Sequence, residues 1–311
     1  VAPAPSLPPD LRALARAQAD LVSTAQCDAA GVGRGRRGRL VSDGLWQRVV
    51  RGVYDVRPEG SRAPHELRRR AAWTGLLAYG PGAVAVGACA LALHDVAGLP
   101  SGTAPEVALP GGRYAPGRDG VRVRRFDVVG VRVGGALAAP LPVALVQALP
   151  ELPRDHAVAV LDDVLRRRRL TVAELRAVRA AVVGRRGAAR TRGWWDLVDP
   201  RAESPLETFA RLQCVDGGVP PDELQHVVRG RDGALVARCD LGWRRRDGSW
   251  VLGEVDGREF HDVPAALLHD RRRQNALAVL GHTVLRFTAA DVARRRVAPV
   301  VRAALTASTR P

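Results

Sequence analysis

One hairpin constrains this chain more than any other stretch. Ala237-Arg-Cys-Asp-Leu-Gly-Trp243 and Val251-Leu-Gly-Glu-Val-Asp-Gly257 are two apolar strands joined by the polar turn Arg246-Asp-Gly248. They bring Asp240, Glu254 and Asp256 to neighbouring strand ends. Carboxylates are poor strand formers and repel one another across a ladder, so three of them there require a compensating interaction. A divalent cation is the usual one, because it turns repulsion into shared coordination. Mg²⁺ (or Mn²⁺) takes oxygen ligands and keeps several waters, so Asp240 and Glu254 suffice as candidate metal ligands.

The surroundings place that hairpin in a regular C-terminal pattern. Ser204-Pro-Leu-Glu207 opens a helix to about residue 215. Strands follow over 224–229, 235–243 and 250–255, then a helix over 264–280, a strand over 282–287 and a closing helix over 289–305. The element order is αβββαβα. Upstream, Leu11 to Asp20 reads as a helix. Ser23-Thr-Ala-Gln26 is a capping box that opens a second helix ending at Gly31. Gly33 to Ser42 reads as a third helix, and Trp46 to Val56 as a small β-ribbon. Three short helices and a ribbon form the layout of a winged helix-turn-helix. Between the two ends, helices are expected over 64–79, 83–96, 141–149, 156–165 and, from the capping box Thr171-Val-Ala-Glu174, to about 183. Strands are expected over 105–110 and 121–128, and a basic Gly-rich linker over 184–193. The expected fold is α+β in three parts: a winged helix over 1–60, a mixed α/β middle domain over 61–195 and a C-terminal αβββαβ domain over 200–311.

Charge points to an anionic partner. The chain has 311 residues and a formal charge of +16, and all 48 basic residues are Arg. The excess is spread along the chain, which suits a long anionic backbone such as DNA; compositional bias toward Arg with solvated faces is the plain alternative. Arg34, Arg36, Arg37 and Arg39 load the third helix, and Arg48 and Arg51 lie on the ribbon, as a recognition helix and wing require. Gly35 and Gly38 each weaken that helix by roughly 1 kcal/mol, so a packing module is the competing reading. The four cysteines show no paired metal spacing and lie in apolar stretches, as buried reduced thiols do. The start lacks a basic n-region, and the longest apolar run, residues 83–93, is too short to cross a bilayer. A cytoplasmic location and no membrane partner are expected; a protein partner or a homodimer stays open.

Both ends resemble known families. Residues 204–305, through Ser204-Pro-Leu-Glu207, Ala237-Arg-Cys-Asp240-Leu, Glu254-Val-Asp-Gly257, His261, Asp270-Arg-Arg-Arg273 and Val284-Leu-Arg-Phe287, resemble the very-short-patch-repair-like endonuclease branch of the PD-(D/E)XK superfamily. Residues 11–57, through the capped helix at Ser23 and Trp46-Gln-Arg-Val-Val-Arg-Gly-Val-Tyr54, resemble the winged-helix domain of AbiEi-type antitoxins. The first resemblance implies Mg²⁺-dependent phosphodiester hydrolysis at Asp240, Glu254 and Asp256. It adds Glu207 as a metal or water contact, although Glu207 also satisfies the capping rule alone. Asp256 stands where the superfamily usually has a Lys, though the branch resembled carries Glu-x-Asp-Gly here. His261 is a candidate base or phosphate ligand, or a plain loop residue. Arg271 and Arg273 are candidate phosphate contacts, or a solvated face. The expected function is a DNA-binding protein with an endonuclease domain; the alternative is a non-catalytic DNA-binding regulator resembling an antitoxin or repressor.

Overall fold

A computed structural model describes residues 7–256 and 273–307. The fold is α+β with three separate sheets. Contacts group Val1–Leu152 with Leu170–Arg192 as one unit, and Pro153–Arg169 with Gly193–Pro311 as the other.

The first unit opens with α1 (Pro9–Ala17), β1 (Leu21–Ser23), α2 (Thr24–Ala29), α3 (Arg34–Ser42), β2 (Gln47–Val50) and β3 (Val53–Asp55). The strands form an antiparallel sheet in the order β1-β3-β2. α1 ends earlier than expected, because Ala19 and Asp20 take left-handed backbone angles and turn the chain into β1. The capping box at Ser23 is formed: its hydroxyl accepts from the Gln26 amide at 3.2 Å, and the Gln26 side chain accepts from the Ser23 amide at 2.9 Å. α3 is helical despite its two glycines. Leu40 and the preceding Val32 pack with Leu11, Cys27 and Trp46, so tertiary burial outweighs the weak local propensity.

No free linker follows residue 60. Asp55 is 1% exposed and takes the Arg57 amide at 2.8 Å, Arg62 at 3.1 Å and Arg70 at 2.6 Å. Arg70 lies on α4 (Pro64–Tyr79), so the three-stranded sheet is tied to that helix. Next come β4 (Val84–Ala85), α5 (Gly87–Leu93), β5 (Glu106–Ala108), β6 (Arg122–Arg124), β7 (Val131–Val133), β8 (Ala136–Ala138) and α6 (Leu141–Ala148), with a sheet in the order β6-β5-β4-β8-β7. The helix expected over 83–96 is therefore a strand and a shorter helix. Gly87 divides them at φ +52°, where a Cβ would run into the Glu106 carboxylate. α7 (Arg154–Arg166) belongs to the second unit, whereas α8 (Val172–Val182) returns to the first and packs on α6. A boundary near 195 therefore does not match the contacts, because α7 packs against the first helix of the C-terminal pattern.

The second unit continues with α9 (Pro205–Asp216), β9 (Glu223–Arg229), β10 (Leu235–Arg244), β11 (Trp250–Asp256), α10 (helical over 273–279), β12 (Thr283–Thr288), α11 (Ala289–Ala293) and α12 (Val297–Thr306). Its sheet runs β12-β11-β10-β9, antiparallel except for the parallel pair β11/β12. One apolar cluster joins Ala210 and Cys214 of α9 and Val297 and Val301 of α12 to Leu224, Leu241, Trp243, Val251 and Phe287. A second joins Leu277 of α10 to Val228, Ala237, Cys239 and Leu252.

All four cysteines are buried and free. Burial pushes the Cys27 thiol up to about 11 and those of Cys89, Cys214 and Cys239 up to about 12.

Candidate functional site

Strand side chains alternate between faces, so residues two apart share one. On β10 this fails in one place. Ala237 and Cys239 pack in the α10 cluster, but Leu241 and Trp243 pack in the α9–α12 cluster. On β9 the same switch separates Val228 from Leu224. The reversals lie at one level, where the ladder pairs Cys239 with His226 and Leu241 with Leu224. Asp240 and Gln225 stand between those pairs. Gln225 has φ +55°, a left-handed backbone in mid-strand.

The reversal frees the Asp240 carboxylate from either face. Its Oδ2 accepts the Val255 amide of β11 at 2.7 Å, next to the last β10–β11 pair, Leu241 with Gly253. Its Oδ1 accepts from Gln225 Nε2 at 3.4 Å, and the same nitrogen donates to Glu207 Oε2 at 2.9 Å. Glu207 is placed by its own helix start: the Ser204 hydroxyl accepts the Glu207 amide at 3.2 Å, and Oε2 also takes the Glu203 amide at 2.8 Å. The Glu207 amide is thus capped by Ser204, while its carboxylate reaches Glu203 and Gln225 rather than closing a capping box.

Burial, with smaller contributions from Glu207 and Glu254, pushes the Asp240 carboxyl up to about 6. Burial also raises Glu207, with Glu203 adding to it. Glu254 lies opposite a different chemistry. β11 alternates regularly, so Glu254 faces α10 with Leu252. Arg273 forks onto it, Nη1 to Oε1 at 2.7 Å and Nη2 to Oε2 at 3.0 Å, and Arg286 Nε approaches Oε2 at 3.2 Å. Arg273 therefore meets a buried carboxylate rather than forming a solvated face. Asp256 ends β11 beside Thr288 of β12. His261 and Arg271 lie outside the described residues.

A metal held jointly by Asp240 and Glu254 meets an obstacle. Both Glu254 oxygens are engaged by guanidinium groups, and among the described residues no group of three or more His, Cys, Asp or Glu is arranged to hold a metal. Asp240 fits better: its Oδ1 carries only a long bond, and its hard oxygen sits in unbalanced negative charge.

In the first unit, Arg34, Arg39, Arg48 and Arg51 are exposed, and Arg36 is half-buried. Arg37 departs from the expected DNA-contacting set. It is 6% exposed, pairs with Asp28, and donates to the Val32 carbonyl at 2.6 Å. It points inward and ties α3 to the end of α2.

Three residues of these arrangements lay outside the sequence reading. Gln225 has no sequence signal, since its role depends on a backbone angle. Arg286, a lone charge inside the apolar strand Val284-Leu-Arg-Phe287, could have been found by that contrast. Asp162 of α7 (1% exposed) accepts the Asp199 amide at 2.7 Å, the Thr208 hydroxyl at 2.8 Å and Arg211 at 3.0 Å.

No family model matches this chain. Two uncharacterized proteins of Mycobacterium tuberculosis, MT2308 of strain CDC 1551 / Oshkosh and Rv2248 of strain ATCC 25618 / H37Rv, are each 35% identical to it over 163 residues. Each match covers 52% of this chain, and the chain spans 59% of the length of these curated relatives. Among the described residues no helix is long and apolar enough to cross a membrane.

Proposed function

We propose that this is a DNA-binding protein whose C-terminal unit hydrolyses phosphodiester bonds at Asp240. The observation that carries this reading is the reversal of β9 and β10 at one level. It sets a half-buried carboxyl, held at about 6, beside Glu207 and next to the Glu254–Arg273–Arg286 group. A carboxylate of that affinity is ionised at neutral pH and so open to a hard cation. Arg273 and Arg286 are placed to bind the phosphate, exchanging one oxyanion for another. Asp240, with Glu207 or Asp256, would hold Mg²⁺ or Mn²⁺, and the ion would neutralise charge on the phosphate and lower the pKa of water. The order β1-β3-β2 with three helices, and exposed Arg34, Arg39, Arg48 and Arg51, support DNA binding by the N-terminal module.

One observation favours a second reading, a non-catalytic DNA-binding regulator. Glu254 is already neutralised by two arginines, as in a structural ion pair. Plasmid nicking in Mg²⁺ or Mn²⁺ separates the two. The nuclease reading expects nicking by the wild type, lost in Asp240→Asn with DNA affinity kept. A preparation that binds DNA and never nicks it with either ion selects the regulator.

A further inference from the structure

We propose that Gln225 is the positioning residue of this site: its left-handed backbone aims one amide nitrogen at both Glu207 and Asp240, holding the two carboxylates together. This rests on the nuclease reading for its consequence in catalysis, but not for the geometry.

A left-handed angle strains an L-residue, and Gly, Asn or Asp normally occupies it. If β9 needed only a bend, glycine would provide one without strain. Gln225 accepts the strain and uses its side chain. Its Nε2 carries two hydrogens, one for Glu207 Oε2 at 2.9 Å and one for Asp240 Oδ1 at 3.4 Å. Ionised carboxylates only accept, so the amide nitrogen and not its oxygen must face them. The groups around Asp240 are otherwise acidic or neutral: Glu207 from α9, Glu254 from β11 and the Val255 amide. Arg273 and Arg286 reach Glu254 and are not among the groups that bond Asp240 here. Gln225 is therefore the one described side-chain donor placed between buried Glu207 and half-buried Asp240. The longer of its bonds is to Asp240.

Gln225→Glu is the discriminating variant, because it keeps shape and length but replaces the donor with a third carboxylate. Urea unfolding at pH 8 in EDTA should show a lower midpoint for Gln225→Glu. In an Asp240→Asn background part of that loss should vanish, the remainder reflecting Glu207, a coupling of about tenfold in the unfolding constant. Gln225→Gly, which relieves the backbone, should unfold at a higher urea concentration than Gln225→Glu. If the wild type nicks DNA, both variants should lower kcat at least about tenfold with KM little changed. A Gln225→Glu midpoint equal to wild type, or a loss that is the same in the Asp240→Asn background, would overturn the proposal and leave Gln225 as a bend in β9. A wild type that never nicks removes the nuclease reading, while the unfolding cycle still decides Gln225.

Discussion

Asp162, buried, and Asp240, half-buried, are acids of the same unit, and desolvation pushes each up to about 6. Their neighbours differ in sign. Asp162 faces Arg211, a hydroxyl and a backbone amide at 2.7–3.0 Å, all of which favour its charge. Asp240 faces Glu207 and Glu254, which oppose its charge, and one of its oxygens has only a 3.4 Å bond. A raised affinity for protons is therefore dominated by desolvation in both and does not by itself tell them apart. The sign of the neighbouring charges separates an acid that fastens α7 to α9 from one set among other acids.

The sharpest way to break this contrast is chemistry. Asp240→Asn should reduce plasmid nicking at least about 100-fold, whereas Asp162→Asn should keep the wild-type rate per folded molecule. Comparable rates in the two variants would erase the distinction. Stability should show the reverse order. Asp162→Ala strands the buried Arg211 guanidinium and should cost about 3–5 kcal/mol in urea unfolding. Asp240→Asn, which removes a charge from among acids, should stay within about 1 kcal/mol of wild type at neutral pH.

Dependence on pH sharpens the comparison further. Folded Asp162 holds its proton more tightly than the unfolded chain does, since its carboxyl rises from 3.8 to about 6. Between those values the folded state binds more protons, so this group's contribution to stability falls as pH climbs from 3.8 toward 6 and is flat above. Urea midpoints across that window should fall less steeply with pH in Asp162→Asn than in wild type; a steeper fall would contradict the assignment. The smallest expected effect lies in the first unit, where exposed and inward arginines make the same contrast. Replacing Arg34 and Arg39 by Ala should flatten the slope of log DNA affinity against log salt by about 1–2. Arg37→Ala should instead lower the unfolding midpoint, because Asp28 and the Val32 carbonyl lose their partner.

Periodicity and caps made most elements legible. The Ser23 and Thr171 boxes formed as expected, and the hairpin carrying Asp240 and Glu254 lies where apolar alternation put it. What sequence did not reveal depends on single backbone angles or on distant partners. β1 is three residues long, too short for any period. The inversion at Gln225 is one φ angle, and no residue type there announces it. Arg37 looks like its exposed neighbours until Asp28 is seen beside it. α7 reads as one more middle-segment helix, because nothing local to Asp162 names Arg211 as its partner.

The chain passes between its two units three times, with α7 on one excursion and α8 on the return. This sets an order of events as the chain leaves the ribosome. Residues up to 152 emerge with the first unit still lacking α8, whose Val178 and Val182 cover α6. α7 emerges before that cover arrives, carrying Asp162 with neither Thr208 nor Arg211 yet made. A nascent chain stopped between residues 167 and 182 thus exposes an apolar helix face and an acid without its cation. That interval is where a chaperone holding the growing chain has most to protect.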